Sequence, residues 1–122
     1  MATRPSYIPA PPKDKQVFAL VKWRIIDALI TADLPDKTKV IGMLIITAIG
    51  RRDGFAYMSV DKIAEKVHAH RSRVAPSLKT LVNDGYIERH VGRSGAASEY
   101  WLDWSKWKPP GASPVHLGEI PF

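Results

Sequence analysis

A chain of 122 residues has the size of one domain with one hydrophobic core. Its apolar share of 45% and charged share of 25% are ordinary for a globular protein, but a net charge of +6 and a pI near 9.7 favour a polyanionic partner, nucleic acid or an anionic membrane surface. The absence of cysteine excludes disulfides and thiolate metal sites, and with no secretory signal pattern and no apolar run long enough to span a bilayer the chain reads as soluble and cytoplasmic.

Residues 1–14 hold four prolines and predict an extended, flexible arm. Residues 108–122, with four prolines and two glycines, predict a flexible tail of the same kind, which leaves an ordered body over residues 15–107. Between residues 15 and 32, Val17, Leu20, Val21, Arg24, Ile25, Ala28 and Leu29 recur at helical spacing, and Asp33-Leu34-Pro35 breaks the pattern. A second helix is expected from an N-cap at Asp36 to Gly50 as its C′ residue. Its apolar residues lie almost all round, so it is expected to be buried or to pack against a second chain. A turn at 51–54 and a short strand at 55–58 follow.

Ser59 is a good cap for a helix over 60–67, with Asp61 in its first turn and Ile63, Ala64 and Val67 facing inward. After a turn at His68-Ala69-His70, a further helix is expected over 71–84, ending at Gly85, with Val74, Leu78 and Leu81 inside. Tyr86 to Val91 reads as a strand and Gly92-Arg93-Ser94-Gly95 as a turn-rich tip. A return strand at 99–104 puts Tyr100, Leu102 and Trp104 on one face and Trp101 on the other.

The stretch MSVDKIAEKVHAHRSRVAPSLKTLVNDGYIERHVGRSGAASEYWL resembles the winged helix-turn-helix of bacterial transcription regulators and of phage and plasmid replication initiators. The Ser-capped helix with Ile63-Ala64, the three-residue turn, and Leu78-x-x-Leu81-x-x-x-Gly85-Tyr86-Ile87 carry the resemblance. It implies an α+β, mainly α fold: a winged helix-turn-helix with additional N-terminal helices and a C-terminal β-hairpin wing. It also implies a bacterial, nucleoid-associated protein that binds double-stranded DNA.

The residues support DNA binding in their own right. With Val74, Leu78 and Leu81 inside, a helical rotation of about 100° per residue turns Ser72, Arg73, Pro76, Lys79 and Thr80 outward. From Lys66 to Thr80 there are four Lys or Arg residues and no acid, a bias suited to the major groove. Arg71 and Arg73 are the expected base readers, since a guanidinium donates twice to guanine O6 and N7. Ser72 can serve a base or a phosphate, and Ser59, at the start of its helix, a phosphate. Lys62 and Lys79 add charge without sequence preference. Arg93 and Ser94 at the tip, with Arg89 behind it, reach for the backbone or minor groove. A single surface arginine is as readily just solvated, so the expectation rests on the set. Pro76 departs from the pattern: it implies a helix start later than Arg71, near Ser72, or a kink.

No metal, cofactor or catalytic arrangement is expected. His68, His70 and His90 lack the cysteine or acid pair that would complete a site, and Ser94-Gly95 has no evident base. Of the four tryptophans, Trp104 is assigned to the core, while Trp101 and Trp107 cover the side of the domain or, with the two N-terminal helices, form a homodimer surface. The expected function is sequence-selective binding of double-stranded DNA by a transcriptional repressor. A component of plasmid or phage replication is the alternative, and a protein-interaction module a third.

Overall fold

The computed structural model describes residues 8, 10–50, 54–91 and 97–104. Within them the fold is α+β and mainly helical, with four helices and a three-stranded antiparallel sheet. Helix α1 spans Lys15–Thr31, and Asp14 caps it by accepting from the N–H groups of Gln16 and Val17 at 2.8 and 3.2 Å. It buries Leu20, Val21, Ile25 and Leu29. Helix α2 spans Asp36–Ala48 and begins one residue earlier than the expected cap implies. Pro35 occupies the cap position, and Asp36 lies in the first turn, where its charge suits the positive end of the dipole.

The other end of α2 also departs from expectation. Gly50 does not take the left-handed conformation of a terminating glycine; the positive-φ glycines among the described residues are Gly54 and Gly85. Instead Lys22 of α1 donates from Nζ to the carbonyls of Thr47 and Ile49 at 3.1 and 2.9 Å, which supplies those terminal acceptors from a neighbouring helix.

The apolar circumference of α2 is explained by its position. It packs against α1, α3 (Val60–Val67), α4 (Arg71–Asn83) and strand β1 (Phe55–Met58), so most of its burial comes from within the chain. Gly42 permits the closest approach: a β-carbon there would lie 2.5 Å from Leu29 Cδ2 and 3.0 Å from Leu81 Cδ2. Among its large apolar residues Val40 is the exception, at 41% exposed.

Helix α3 spans Val60–Val67, and strands β2 and β3 span Glu88–Val91 and Ser98–Trp101. The sheet order is β1-β3-β2, so the last strand is central, pairing Ala56 with Tyr100 on one side and Arg89 with Tyr100 on the other. Strand β2 starts two residues later than expected because Tyr86 still belongs to the end of α4. Gly85, at φ 83°, donates its N–H to Val82 O, and Tyr86 donates to Leu81 O, the paired bonds of a glycine-terminated helix.

Tyr100, Leu102 and Trp104 are all buried, as expected, but β3 ends at Trp101 and not at residue 104, so Leu102 and Trp104 enter the core from beyond the strand; Trp104 lies 4.9 Å from Phe18 of α1 between ring centres. Trp101 takes the first of its two expected roles and covers the side of the domain. It faces the opposite way from Tyr100, yet only 1% of it is exposed. It stacks on Phe55 at 4.9 Å and donates from Nε1 to Glu99 Oε1 at 3.3 Å. Gly54, at φ 77°, completes this wall: a β-carbon there would lie 2.7 Å from Pro11 Cγ and 3.8 Å from Trp101 Cζ3. Trp101 and Trp104 are therefore not the exposed tryptophans of a dimer surface, and Trp107 lies outside the described residues. Ile8 is 1% exposed, so with Pro11 it lies on the body and does not stand clear as part of a free arm. Among the described residues no helix is long and apolar enough to cross a membrane.

Candidate nucleic-acid interface

Two short helices joined by a tight turn set out the candidate surface. Ser59 Oγ accepts from the N–H of Lys62 at 3.0 Å and starts α3, whose Ile63, Ala64 and Val67 enter the core. The helix ends at His68, whose left-handed backbone (φ 55°, ψ 47°) reverses the chain, with the Ala69 N–H donating to Ala64 O at 3.0 Å. His70 then caps α4. Its Nδ1 accepts from the Ser72 N–H at 3.1 Å and lies 2.7 Å from Ser72 Oγ. No Ser, Thr, Asp or Asn precedes Arg71, so a search for an oxygen cap points to Ser72; an imidazole nitrogen takes that role instead.

Helix α4 runs without interruption from Arg71 to Asn83, so Pro76 is its sixth residue and the expectation of a later start does not hold. Val74, Leu78 and Leu81 are buried as expected. Ser77 joins them, 9% exposed, with its Oγ 2.9 Å from Thr38 Oγ1 of α2. This buried hydroxyl pair was not legible in the sequence, where serine at that spacing is indistinguishable from a surface residue.

Arg71, Ser72, Arg73, Pro76 and Lys79 are exposed and Thr80 is half-buried, which reproduces the expected outward face. The two arginines differ. Arg71 NH1 lies 3.5 Å from Asp61 Oδ1 of α3, an exposed ion pair of small worth that still partly neutralises it. Arg73 and Lys79 make no ion pair or side-chain hydrogen bond among the described residues, which leaves Arg73 the stronger candidate. Lys62 is exposed on α3. Ser59 is occupied as a cap. Arg89 is half-buried, and its Nε donates to Ser98 Oγ at 3.2 Å, which ties it to the sheet. Arg93 and Ser94 lie outside the described residues.

A groove of about 360 Å³ runs between the start of α2 and the outer side of α4, with Pro35, Lys37 and Thr38 on one wall and Arg73, Pro76 and Thr80 on the other. Lys37 donates from Nζ to Val67 O at 2.8 Å and so fastens α2 to the end of α3. Its role was missed because nothing local in the sequence places residue 37 beside residue 67. His68 and His70 serve as backbone caps, and His90 pairs with Glu99 in the register of β2 and β3. Comparison of the chain with protein-family models, with curated proteins and with solved structures gives no match.

Proposed function

We propose that the protein is a winged helix-turn-helix DNA-binding protein that lays α4 in the major groove of a duplex, with the β2–β3 hairpin as its wing. The observation that carries this reading is the outer face of α4. Arg73 and Lys79 stand exposed and uncommitted on a surface with no acid from Lys66 to Thr80, while the inner face is anchored by Val74, Leu78 and Leu81. A helix held from behind, with donors presented along its first turns, suits base edges rich in acceptors. Strand β2 follows α4 in the chain and lies at the edge of the sheet, which supports the use of the β2–β3 hairpin as a second contact.

In a chain of this size such binding is most simply that of a transcriptional repressor that works by occupying a promoter. A second copy would add a second half-site. The surface proposed for it lies on α1 and α2, where Ile30 and Val40 are 46% and 41% exposed and the Lys39 Nζ bond to Ile30 O, 2.7 Å, holds the two helices side by side.

The test is binding of a labelled duplex from the region upstream of the protein's own coding sequence, with random duplex as competitor. Specific binding is expected, and its loss is expected in an Arg73→Ala/Lys79→Ala double variant that retains the native melting temperature. No binding to either duplex at low salt would refute the DNA reading. Equal binding to both duplexes would refute promoter recognition and move the search to replication origins.

A further inference from the structure

Pro76 sits inside α4, and the helix continues through it. Proline has no N–H, so the Ser72 carbonyl cannot receive the i+4 hydrogen bond that a residue at this depth of a helix normally receives. The ring also crowds that oxygen and tilts it away from the helix axis. This happens on the exposed side: Ser72, Arg73 and Pro76 are all exposed, whereas Val74, Ser77 and Leu78 are buried. Ser72 and Pro76 form part of the wall of the open groove of about 360 Å³, so an approaching group reaches this turn without displacing another element.

The rest of the outer face is poor in acceptors. Arg71, Arg73 and Lys79 can only donate, no carboxylate occurs between Lys66 and Thr80, and the side-chain acceptors are the hydroxyls of Ser72, 2.7 Å from His70 Nδ1, and Thr80, which donates to Pro76 O at 3.2 Å. Donors of this kind read guanine O6 and N7 or thymine O4. They cannot accept from the amino groups by which adenine and cytosine are told apart from them in the major groove.

We infer that the Ser72 carbonyl, released by Pro76, is a base-reading acceptor that takes the exocyclic amino group of an adenine or a cytosine. The inference rests on the DNA-binding reading above. It also accounts for proline, the least favourable residue for a helix interior, at an exposed position that alanine would fit.

The experiment uses the full chain and a duplex selected from a randomised pool. Each adenine in the selected site is replaced in turn by purine, and each cytosine by 2-pyrimidinone, analogues that carry hydrogen in place of the amino group. In the native protein one such replacement is expected to weaken binding about tenfold. Pro76→Ala restores the N–H and gives the carbonyl its helix partner. This variant is expected to melt at a higher temperature and to bind the parent and analogue duplexes equally. Ser72→Ala keeps the backbone carbonyl and is expected to keep the native sensitivity. The inference is overturned if no analogue weakens native binding, or if Pro76→Ala loses the same factor as the native chain. Failure of the native chain to select or bind any duplex would remove the DNA reading itself, a different result from selective binding that is indifferent to Pro76.

Discussion

At φ 55° and ψ 47°, His68 holds a backbone conformation that a β-carbon disfavours by about 1–2 kcal/mol. The same reversal at the end of α4 is made by Gly85 at φ 83°, where no such penalty arises. The two positions do equivalent work, since each closes a helix and directs the chain into the next element, yet only one carries the residue suited to it. Replacing His68 by glycine removes the steric penalty and returns part of it as extra freedom of the unfolded chain. The expected net gain is about 0.5–1 kcal/mol. Urea denaturation of His68→Gly beside the native protein measures it as a rise in midpoint at unchanged slope. A fall in midpoint would mean that the imidazole makes a stabilising contact larger than the backbone strain.

Between elements, the most informative contact is the one from Lys22 to the end of α2. The spacing of apolar residues shows that α1 is a helix, and Ser59 and Gly85 show where helices start or stop, because each of these two signals lies within a turn of the backbone group it serves. Lys22 and the carbonyls of Thr47 and Ile49 are more than twenty residues apart in the chain, and Gly50 offered a nearer but unused solution. The same distinction explains Trp101. Alternation correctly turned it away from Tyr100, but coverage by Phe55 and the neighbourhood of Pro11 is tertiary and leaves no local trace.

Lys22 also gives the fold a pH dependence. Burial lowers its pKa below the ordinary lysine value. Below the folded-state pKa both folded and unfolded chains hold the proton, and the full desolvation penalty opposes folding. As pH rises through the lowered value, folded Lys22 releases its proton first while the unfolded chain still binds it, so stability rises with pH up to the ordinary lysine value of about 10.4. Lys22→Met removes both carbonyl bonds and the titration. The variant is expected to be less stable than the native protein at neutral pH, and the gap is expected to widen as pH rises toward that value. Urea midpoints at stepped alkaline pH test this, and parallel curves for the two proteins would exclude Lys22 as the source.

Across the whole molecule, the net charge of +6 does not specify where a polyanion binds; the placement of the charges does. Lys22 is turned inward to the end of α2, Lys37 and Lys39 hold backbone carbonyls, Arg71 faces Asp61, and Arg89 lies along the sheet. Arg73 and Lys79 are left exposed on α4, and Lys62 and Lys66 on α3; of these, Arg73 lines the groove. On the proposed reading the two on α4 play different parts. Lys79, farther along the helix and a compact point charge, meets a phosphate, and Arg73, in the first turn, meets a base edge. Lys79→Ala is then expected to weaken binding to specific and random duplex by the same factor and to reduce the slope of log Kobs against log salt by about 0.9. Arg73→Ala is expected to cost about 1–3 kcal/mol on the specific duplex and far less on random sequence, which relaxes the preference at one base pair. Fluorescence anisotropy at four salt concentrations, with both duplexes and both variants, separates the two effects. If both variants lower the slope equally and leave the ratio of specific to random binding unchanged, Arg73 is a phosphate contact and sequence is read elsewhere on the molecule.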